Sequence, residues 1–539
     1  MAAWEPNEAV LADMVRAHAG REPDRDVLTF EHLSLDGGAT PDEVRTYADL
    51  AENANRIAAA LRARGLHRGD RFAIMAGNHP EFVEALIAAS ITATVAVPID
   101  PRARSEKLAY LLTDGGCRGV ICSDVALGRV GEVRSLVDGL GWVLVIASGE
   151  DGAVALEEVE GAEPLAAVLA QPAPTVDVAL VTSADPLQII YTSGTTGDPK
   201  GVVFPNDRFG VFAMVGLLFE YQDDDRPYTG LSLTHGNAQA VTLAPSLSRG
   251  LRAVFSRRFT RSRLWDVCRE HGATTFSLLG GMATAVYSQP PRPDDRDNPV
   301  RFVISAGMPA AIWESFETRF DVRIFEWYGA VEGGLAMRPK DEGPIGSFGR
   351  PVPGLEMKIL DEDDRECPPG VIGEICSRPA GGGDATVEYH GNPAASAAKT
   401  RGGWLRSGDM GHTDGDGWFF FDHRSGGGLR HNGDFVNPGF VEKVLAEDPQ
   451  VADVFVYGLP AASGAPGERD VVAAVVPTDP PTFDPTAVFA HCRQDLEANM
   501  VPSYLQVVEE IPKTASEKPQ ERFLAEAFTA EPGGVHAAG

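Results

Sequence analysis

Cysteine is scarce. Six residues (Cys117, Cys122, Cys268, Cys367, Cys376 and Cys492) are scattered through 539, with no CxxC pair, and the one directly adjoining histidine, His491 beside Cys492, has no second cysteine near it in sequence. That excludes a disulfide framework and a sequence-local zinc site, and it fits a reducing compartment. Basic charge is also short, with 47 Lys and Arg against 77 Asp and Glu and a net charge of -30. Proteins that bind nucleic acid gain most of their affinity from clustered Lys and Arg, so no nucleic-acid partner is expected. Any polyanionic small molecule has to be met by local groups.

Long apolar runs are missing as well. A membrane-spanning helix needs about eighteen consecutive apolar residues, and none occurs, so no membrane partner is expected. The first twenty residues, MAAWEPNEAVLADMVRAHAG, read as an amphipathic segment. They lack the basic start, apolar core and small-residue cleavage site of an export signal, and a cytoplasmic location is expected.

What is present is a globular composition, 43% hydrophobic and 23% charged. The chain is too long for one core and should form at least two domains. A helix-then-strand pattern recurs: TYADLAENANRIAAALRARGL before FAIMA, EFVEALIAASIT before VAVPI, KLAYLLTDGG before CRGVICS, LWDVCREHG before TTFSLL, and FETRF before DVRIFEWYG. Alternation of 3.6-residue and two-residue periods predicts a layered α/β domain with largely parallel sheets. Three consecutive glycines at Gly426–Gly428 suit a hinge about 425–428, because glycine changes φ and ψ at little steric cost. The expected organisation is residues 1–425 as a large acyl- and nucleotide-binding domain and 426–539 as a small mobile α+β domain. Two further expectations are that the Ala-, Pro- and acid-rich stretch between residues 150 and 179 is a surface excursion and that EPGGVHAAG at the end is disordered.

The richest chemical motif is Tyr191-Thr-Ser-Gly-Thr-Thr-Gly-Asp-Pro-Lys-Gly201, which follows the strand-like LQII. Three glycines and four hydroxyls in one loop let backbone N–H groups and side-chain donors wrap phosphate oxygens, and Lys200 adds charge. Its spacing is not the GxxxxGK[ST] of kinase-like NTPases. An ordinary Gly/Thr-rich turn has the same composition.

This loop resembles the defining motif of the ANL superfamily of adenylate-forming enzymes: acyl-CoA synthetases, peptide-synthetase adenylation domains and luciferases. Further motifs follow in the family's order across almost the whole chain. THGNAQAVTLAPSL, FSLLGGM and HNGDFVNPGFVE look closest to the branch of carnitine and crotonobetaine CoA ligases. The resemblance implies the ANL fold and an AMP-forming acyl-CoA ligase acting through an acyl-AMP intermediate, with ATP, coenzyme A, Mg²⁺ and a carboxylic acid as its ligands.

It also implies roles. Thr192, Ser193, Thr195, Thr196 and Lys200 would hold the ATP phosphates. Gly307 and Met308, in Ser305-Ala-Gly-Met-Pro309, would line the adenine pocket. Tyr328-Gly-Ala-Val-Glu332 resembles YGxTE, so Tyr328 and Gly329 would lie by the adenine and Glu332 would ligate Mg²⁺, for which a carboxylate is the right hard ligand. Trp404-Leu-Arg-Ser-Gly-Asp409 resembles WxRTGD, making Asp409, with Arg424, a nucleotide-binding candidate. His235 matches an acyl-pocket position and is carried as a third catalytic candidate beside Glu332 and Lys518, although a lone histidine is more often a packing residue. Lys518, in Pro512-Lys-Thr-Ala-Ser-Glu-Lys518, matches the lysine that meets the carboxylate and α-phosphate. Arg430 and Gly433 would face the coenzyme A channel. The small Gly236, Gly280 and Gly281 suggest room for a bulky acid.

Two departures bear on the ATP half-reaction. Val331 stands where the motif has a hydroxyl, and Glu517 replaces the glycine before the lysine. They make room for a ligase with weakened adenylation, or one that only thioesterifies an acyl-adenylate supplied by a separate adenylating enzyme. The motifs are also compatible with an adenylation enzyme that loads a carrier protein, and with a non-catalytic acyl-nucleotide binder. A homodimer is the default assembly for a soluble enzyme.

Overall fold

The computed structural model describes residues 4–192, 199–424, 429–431, 434–436, 438–461, 469–496, 500–514, 517–530 and 534–538. The expected hinge at 425–428, together with Ser193, Thr195, Thr196 and Gly433, lies outside the described residues, as do the side chains of Arg424 and Arg430. Contacts divide the chain into two compact units. One is Met1–Thr260 with Glu270–Ser277 and Thr386–Ala398, and the other is Arg261–Arg269, Leu278–Ala385 and Lys399–Gly539.

The first unit shows how locally the helices are encoded. Helix Tyr47–Ala63 begins at Thr46, whose hydroxyl accepts from the Asp49 amide at 3.1 Å while the Asp49 carboxylate accepts from the Thr46 amide at 2.9 Å. Two otherwise orphaned donors are thus satisfied reciprocally. Leu50, Ala54, Ile57, Ala58 and Leu61, spaced three and four apart, form its buried face. Among the described residues a seven-stranded sheet runs in the order Ala162–Pro164, Trp142–Ile146, Cys117–Ser123, Arg71–Met75, Val95–Pro98, Pro186–Tyr191, Gly201–Pro205. Every pairing in it is parallel except the last, which is antiparallel. Its strands are near-continuous apolar runs because helices cover the sheet, and Ala73, Met75, Val97, Leu108, Val120, Leu127 and Val143 share one core.

Two expectations are corrected here. The stretch between 150 and 179 is not simply an excursion: Ala162–Pro164 adds an edge strand, Leu165–Leu169 is a short helix, and Leu165 is 1% exposed. Likewise the end of the chain is ordered over Val535–Ala537, which pairs antiparallel with Tyr504–Val507. The sequence-local absence of apolar periodicity hid both, since each is held by a neighbouring strand rather than by its own pattern.

In the second unit, Phe302–Ala306 and Arg323–Ala330 are parallel. From there the pairing turns antiparallel through Gly333–Arg338, Ser347–Pro351, Phe419–Arg424, Leu405–Thr413, Gly373–Pro379 and Leu355–Leu360. The expected largely parallel character therefore stops at this hairpin, where a two-residue turn replaces a crossover helix. Among the described residues the same unit contains a four-stranded sheet, Val451–Pro460, Arg469–Pro477, Tyr504–Val507 and Val535–Ala537, with its own core of Val441, Leu445, Val456, Val471, Val475, Phe489 and Leu505. The expected domain boundary at 425/426 falls inside this second unit. All six cysteines are free and buried. Among the described residues no helix is long and apolar enough to cross a membrane.

Candidate active site

In the first unit, strands Pro186–Tyr191 and Gly201–Pro205 form a hairpin whose turn is the hydroxyl-rich loop. The Thr192 amide donates to the Lys200 carbonyl at 3.0 Å and closes the base of the loop. Tyr191 is pinned beside it, its hydroxyl donating to Asp114 Oδ2 at 2.6 Å. A Cβ on Gly201 would come within 2.5 Å of the Ile189 side chain, so the glycine after Lys200 is a packing requirement as well as a loop end. The exposed Lys200 ammonium lies 5.6 Å from the centre of the Tyr389 ring.

His235 follows strand Pro227–Thr229 in a short turn. Its Nδ1 accepts from the Asn237 amide at 3.2 Å, so in the neutral ring the proton sits on Nε2. Directly after it, Ala238–Leu243 winds as a fully buried π-helix, an irregularity often found at functional sites. Asn237 is 4% exposed, and its carboxamide has no hydrogen-bond partner among the described residues. Sequence reasoning did not single out Asn237, whose stretch counted only for its family resemblance.

The second unit gathers the nucleotide candidates. Strand Arg323–Ala330 and strand Gly333–Arg338 are joined by Val331 and Glu332, which puts Glu332 at a hairpin tip. Its side chain is 11% exposed and lies 3.6 Å from the Lys399 ammonium. Tyr328 stacks on Phe348, with centroids 4.6 Å apart and planes at 29°. Its hydroxyl donates to Asp409 Oδ2 at 2.7 Å, so two motifs separated by eighty residues meet directly. Asp409 is aimed by Gly408, whose φ of +78° is left-handed and whose amide donates to Glu374 at 2.9 Å. The Asp409 amide in turn donates to the Ser407 hydroxyl at 2.9 Å. In the strand register Arg424 is opposite Asp409.

Gly307 and Met308 are held by a residue that sequence reasoning missed. The buried Glu326 carboxylate accepts from the Gly307 amide, and from the Met308 amide at 3.2 Å. Burial pushes this carboxyl up to about 8, against the downward pull of those two amides. A carboxylate inside the apolar run IFEWYG was the available signal. Gly307 (φ +92°) closes on Gly280, where a Cβ would stand 2.3 Å from the Gly307 carbonyl oxygen. A Cβ on Gly281 would lie 3.6 Å from the Glu517 carbonyl oxygen. The expectation that Gly280 leaves room for a bulky acid is therefore corrected, because backbone occupies that space, whereas a Cβ on Gly281 would meet its neighbours at ordinary van der Waals distance.

The two ends of the lysine loop are tied together. Lys513 and Pro519 form a β-bridge, and the Thr514 amide donates to the Lys518 carbonyl at 2.8 Å. The Glu517 amide donates to the Thr514 carbonyl at 2.9 Å. Glu517 takes a φ of +58°, so it adopts the left-handed backbone for which glycine is the usual residue. The base of the loop is tied by Lys513, whose ammonium donates to Asp453 at 2.9 Å. Lys518 itself is exposed. Arg430 lies in the short strand Arg430–His431, paired with Asp434–Phe435.

The arrangement offers a stacked tyrosine tied to a buried aspartate, a carboxylate at a hairpin tip and an exposed lysine on a turn. For Mg²⁺, Glu332 would offer one hard, largely buried oxygen, which suits an ion that keeps its remaining positions for phosphates and water. No cluster of three His, Cys, Asp or Glu able to hold a metal occurs among the described residues.

The profile described as "AMP-binding enzyme" matches residues 15–382, and "AMP-binding enzyme C-terminal domain" matches residues 441–518. The medium/long-chain-fatty-acid CoA ligase FadD17 of Mycobacterium marinum is 30% identical over 491 residues, covering 90% of this chain and 92% of that protein. A crotonobetaine/carnitine CoA ligase of Salmonella choleraesuis is 28% identical over 484 residues, 88% of this chain and 91% of its own length. Among solved structures, the anthranilate CoA ligase AuaEII in complex with anthranoyl-AMP superposes with a TM-score of 0.82 at 23% identity, over 97% of this chain and 98% of that one. A two-part adenylate-forming fold is thus in hand. The chain belongs to the AMP-binding enzyme family.

Proposed function

We propose that this chain is a complete acyl-CoA ligase that activates a carboxylic acid as its acyl-adenylate and transfers the acyl group to coenzyme A. The observation that carries the reading is the Tyr328–Asp409 hydrogen bond, which joins the two nucleotide motifs within the unit that also bears Glu332 and the Lys518 loop. FadD17 and the crotonobetaine/carnitine ligase, by their names, are acid–CoA ligases, and they support the same class.

In the first step a carboxylate oxygen bonds to the α-phosphorus of ATP and the bond to pyrophosphate breaks. In the second the coenzyme A sulfur bonds to the acyl carbon, the bond to AMP breaks and the thiol proton is lost. Tyr328, Gly307 and Met308 position the adenine, Asp409 with Arg424 the ribose, and the loop from Thr192 to Lys200, including Ser193, Thr195 and Thr196, the outgoing phosphates. Mg²⁺ at Glu332 would neutralise phosphate charge. The Lys518 ammonium lies by the carboxylate and α-phosphate, where negative charge concentrates. His235 faces the acid, and Arg430 and Gly433 face the pantetheine. Residues 426–539 move as a body between the steps, turning about 425–428. The place of work is the cytoplasm, and the acyl acceptor is free coenzyme A.

A second reading is favoured by one specific feature: Val331 has no hydroxyl to offer a phosphate, and Glu517 puts a carboxylate next to Lys518. On that reading adenylation is weak and the chain thioesterifies an acyl-adenylate made elsewhere. Paired assays on purified protein decide it, with an acid panel in each. Pyrophosphate release from MgATP and AMP release from synthetic acyl-adenylates with coenzyme A are both expected. Lys518→Ala should lower the first by about 10²- to 10³-fold, the scale of losing one charge-stabilising donor, and largely spare the second. Activity in the second assay alone would establish the thioesterification-only reading, and activity in neither would overturn both.

A further inference from the structure

Lys399 was not singled out by any motif, yet it sits at the centre of the nucleotide candidates. Its ammonium is 3.6 Å from Glu332 Oε1 and donates to the Ser407 carbonyl at 3.1 Å. Ser407 in turn receives the Asp409 amide on its hydroxyl. The charge is therefore tethered between the hairpin tip and the strand that carries Asp409. The lysine side chain is 20% exposed, shielded but reachable. An ammonium carries three N–H donors; the Ser407 carbonyl accepts one, and Glu332 at 3.6 Å is an ion-pair partner rather than a hydrogen-bond acceptor, so at least one N–H is left for a ligand.

If Asp409 meets the ribose and Glu332 the metal-bound phosphates, the α-phosphate, which joins those two parts of the nucleotide, has to pass between them. We propose that Lys399 is a phosphate-binding residue of this chain, whose remaining N–H donates to the α-phosphate of ATP, acyl-AMP and AMP. This rests on the nucleotide reading of Glu332 and Asp409. A charge-assisted N–H donor there stands in for the hydroxyl that Val331 lacks. Lys399 also differs from Lys518 in kind. Lys518 is on an exposed turn, whereas Lys399 is fixed to the Ser407 backbone and stays with the nucleotide in both half-reactions.

The test is binding, which separates it from turnover. Isothermal titration of AMP without metal, and of MgATP, is run on wild type, Lys399→Met, Lys399→Gln and Lys399→Arg, with thermal unfolding as the folding control. The expected result is AMP affinity about tenfold or more weaker in the Met and Gln variants and largely recovered in Arg, which keeps the charge. Unchanged AMP affinity within about twofold in a folded Met or Gln variant, with Mg²⁺ binding tightened, would overturn the proposal and leave Lys399 as a counter-ion of Glu332 only. Folded wild type that binds neither AMP nor MgATP would overturn the ligase reading itself, and this inference with it.

Discussion

Arg45 in the first unit and Lys399 in the second are both cations facing glutamates, but their surroundings differ. Arg45 Nε donates to Glu84 at 2.9 Å, its Nη2 lies 3.6 Å from Glu43 and 3.9 Å from Glu81, and Asn53 adds a bond to Glu84 at 2.8 Å. Glu84 is fully buried. Burial pushes Glu81 up to about 7, with the neighbouring Glu84 adding to the rise, and burial raises Glu84 too. Lys399 has one carboxylate at a looser 3.6 Å and one carbonyl. A charge enclosed by several partners in low dielectric is committed to the fold, because removing one partner strands the rest. A charge with a single long ion pair near solvent contributes little to stability and can exchange its partner for a ligand.

The largest expected effect follows from the enclosed cluster. Arg45→Met should cost about 3–5 kcal/mol in urea unfolding, since it leaves the Glu84 carboxylate buried without its cation. Lys399→Met should cost under about 1 kcal/mol in the same measurement. Equal losses would erase the distinction between the two clusters.

Glu326 sharpens the comparison from within the second unit, being a buried carboxyl with amide partners, where the pull of Arg338, opposite it in the strand register, is outweighed by burial. Its folded value near 8 is above the ordinary carboxyl range, so the folded protein keeps a proton that the unfolded chain releases. Its contribution is full in acid and is lost as pH rises through about 8. Thermal stability followed from pH 5 to 9 should fall by at most about 1.4 kcal/mol per pH unit from this group, and Glu326→Gln should flatten that slope. A slope that is the same in the variant would assign the pH dependence to other groups.

The smallest effect is expected at Glu517, where a left-handed φ is held by a residue with a side chain. Glu517→Gly should relieve strain on the order of 1 kcal/mol and remove a negative charge beside Lys518. ATP–pyrophosphate exchange should rise a few-fold if that carboxylate opposes adenylation. Unchanged exchange would remove the main support for the thioesterification-only reading.

Much of this was legible in the residues. The helix at Tyr47–Ala63 was readable because its cap and its apolar face lie within a few residues of each other, and the hydroxyl-rich loop because its chemistry is contiguous. Tyr328, Glu332 and Asp409 could be nominated from their motifs, but not the bond between Tyr328 and Asp409. Glu326 and Lys399 stayed hidden because neither stands in a short pattern of its own. Gly280 misled, since a missing side chain reads as open space until the backbone that fills it is known.

The sequence by itself therefore determined the elements, the class of chemistry and the residue types available for it, all of which are set by propensity, periodicity and local donors. Only the tertiary structure decided which glycines are packing contacts, that Glu517 occupies a glycine-like turn, and that Lys399 stands between Glu332 and the Asp409 strand. Those facts depend on distances across strands far apart in the chain, and such distances are fixed by packing and register rather than by any local run of residues.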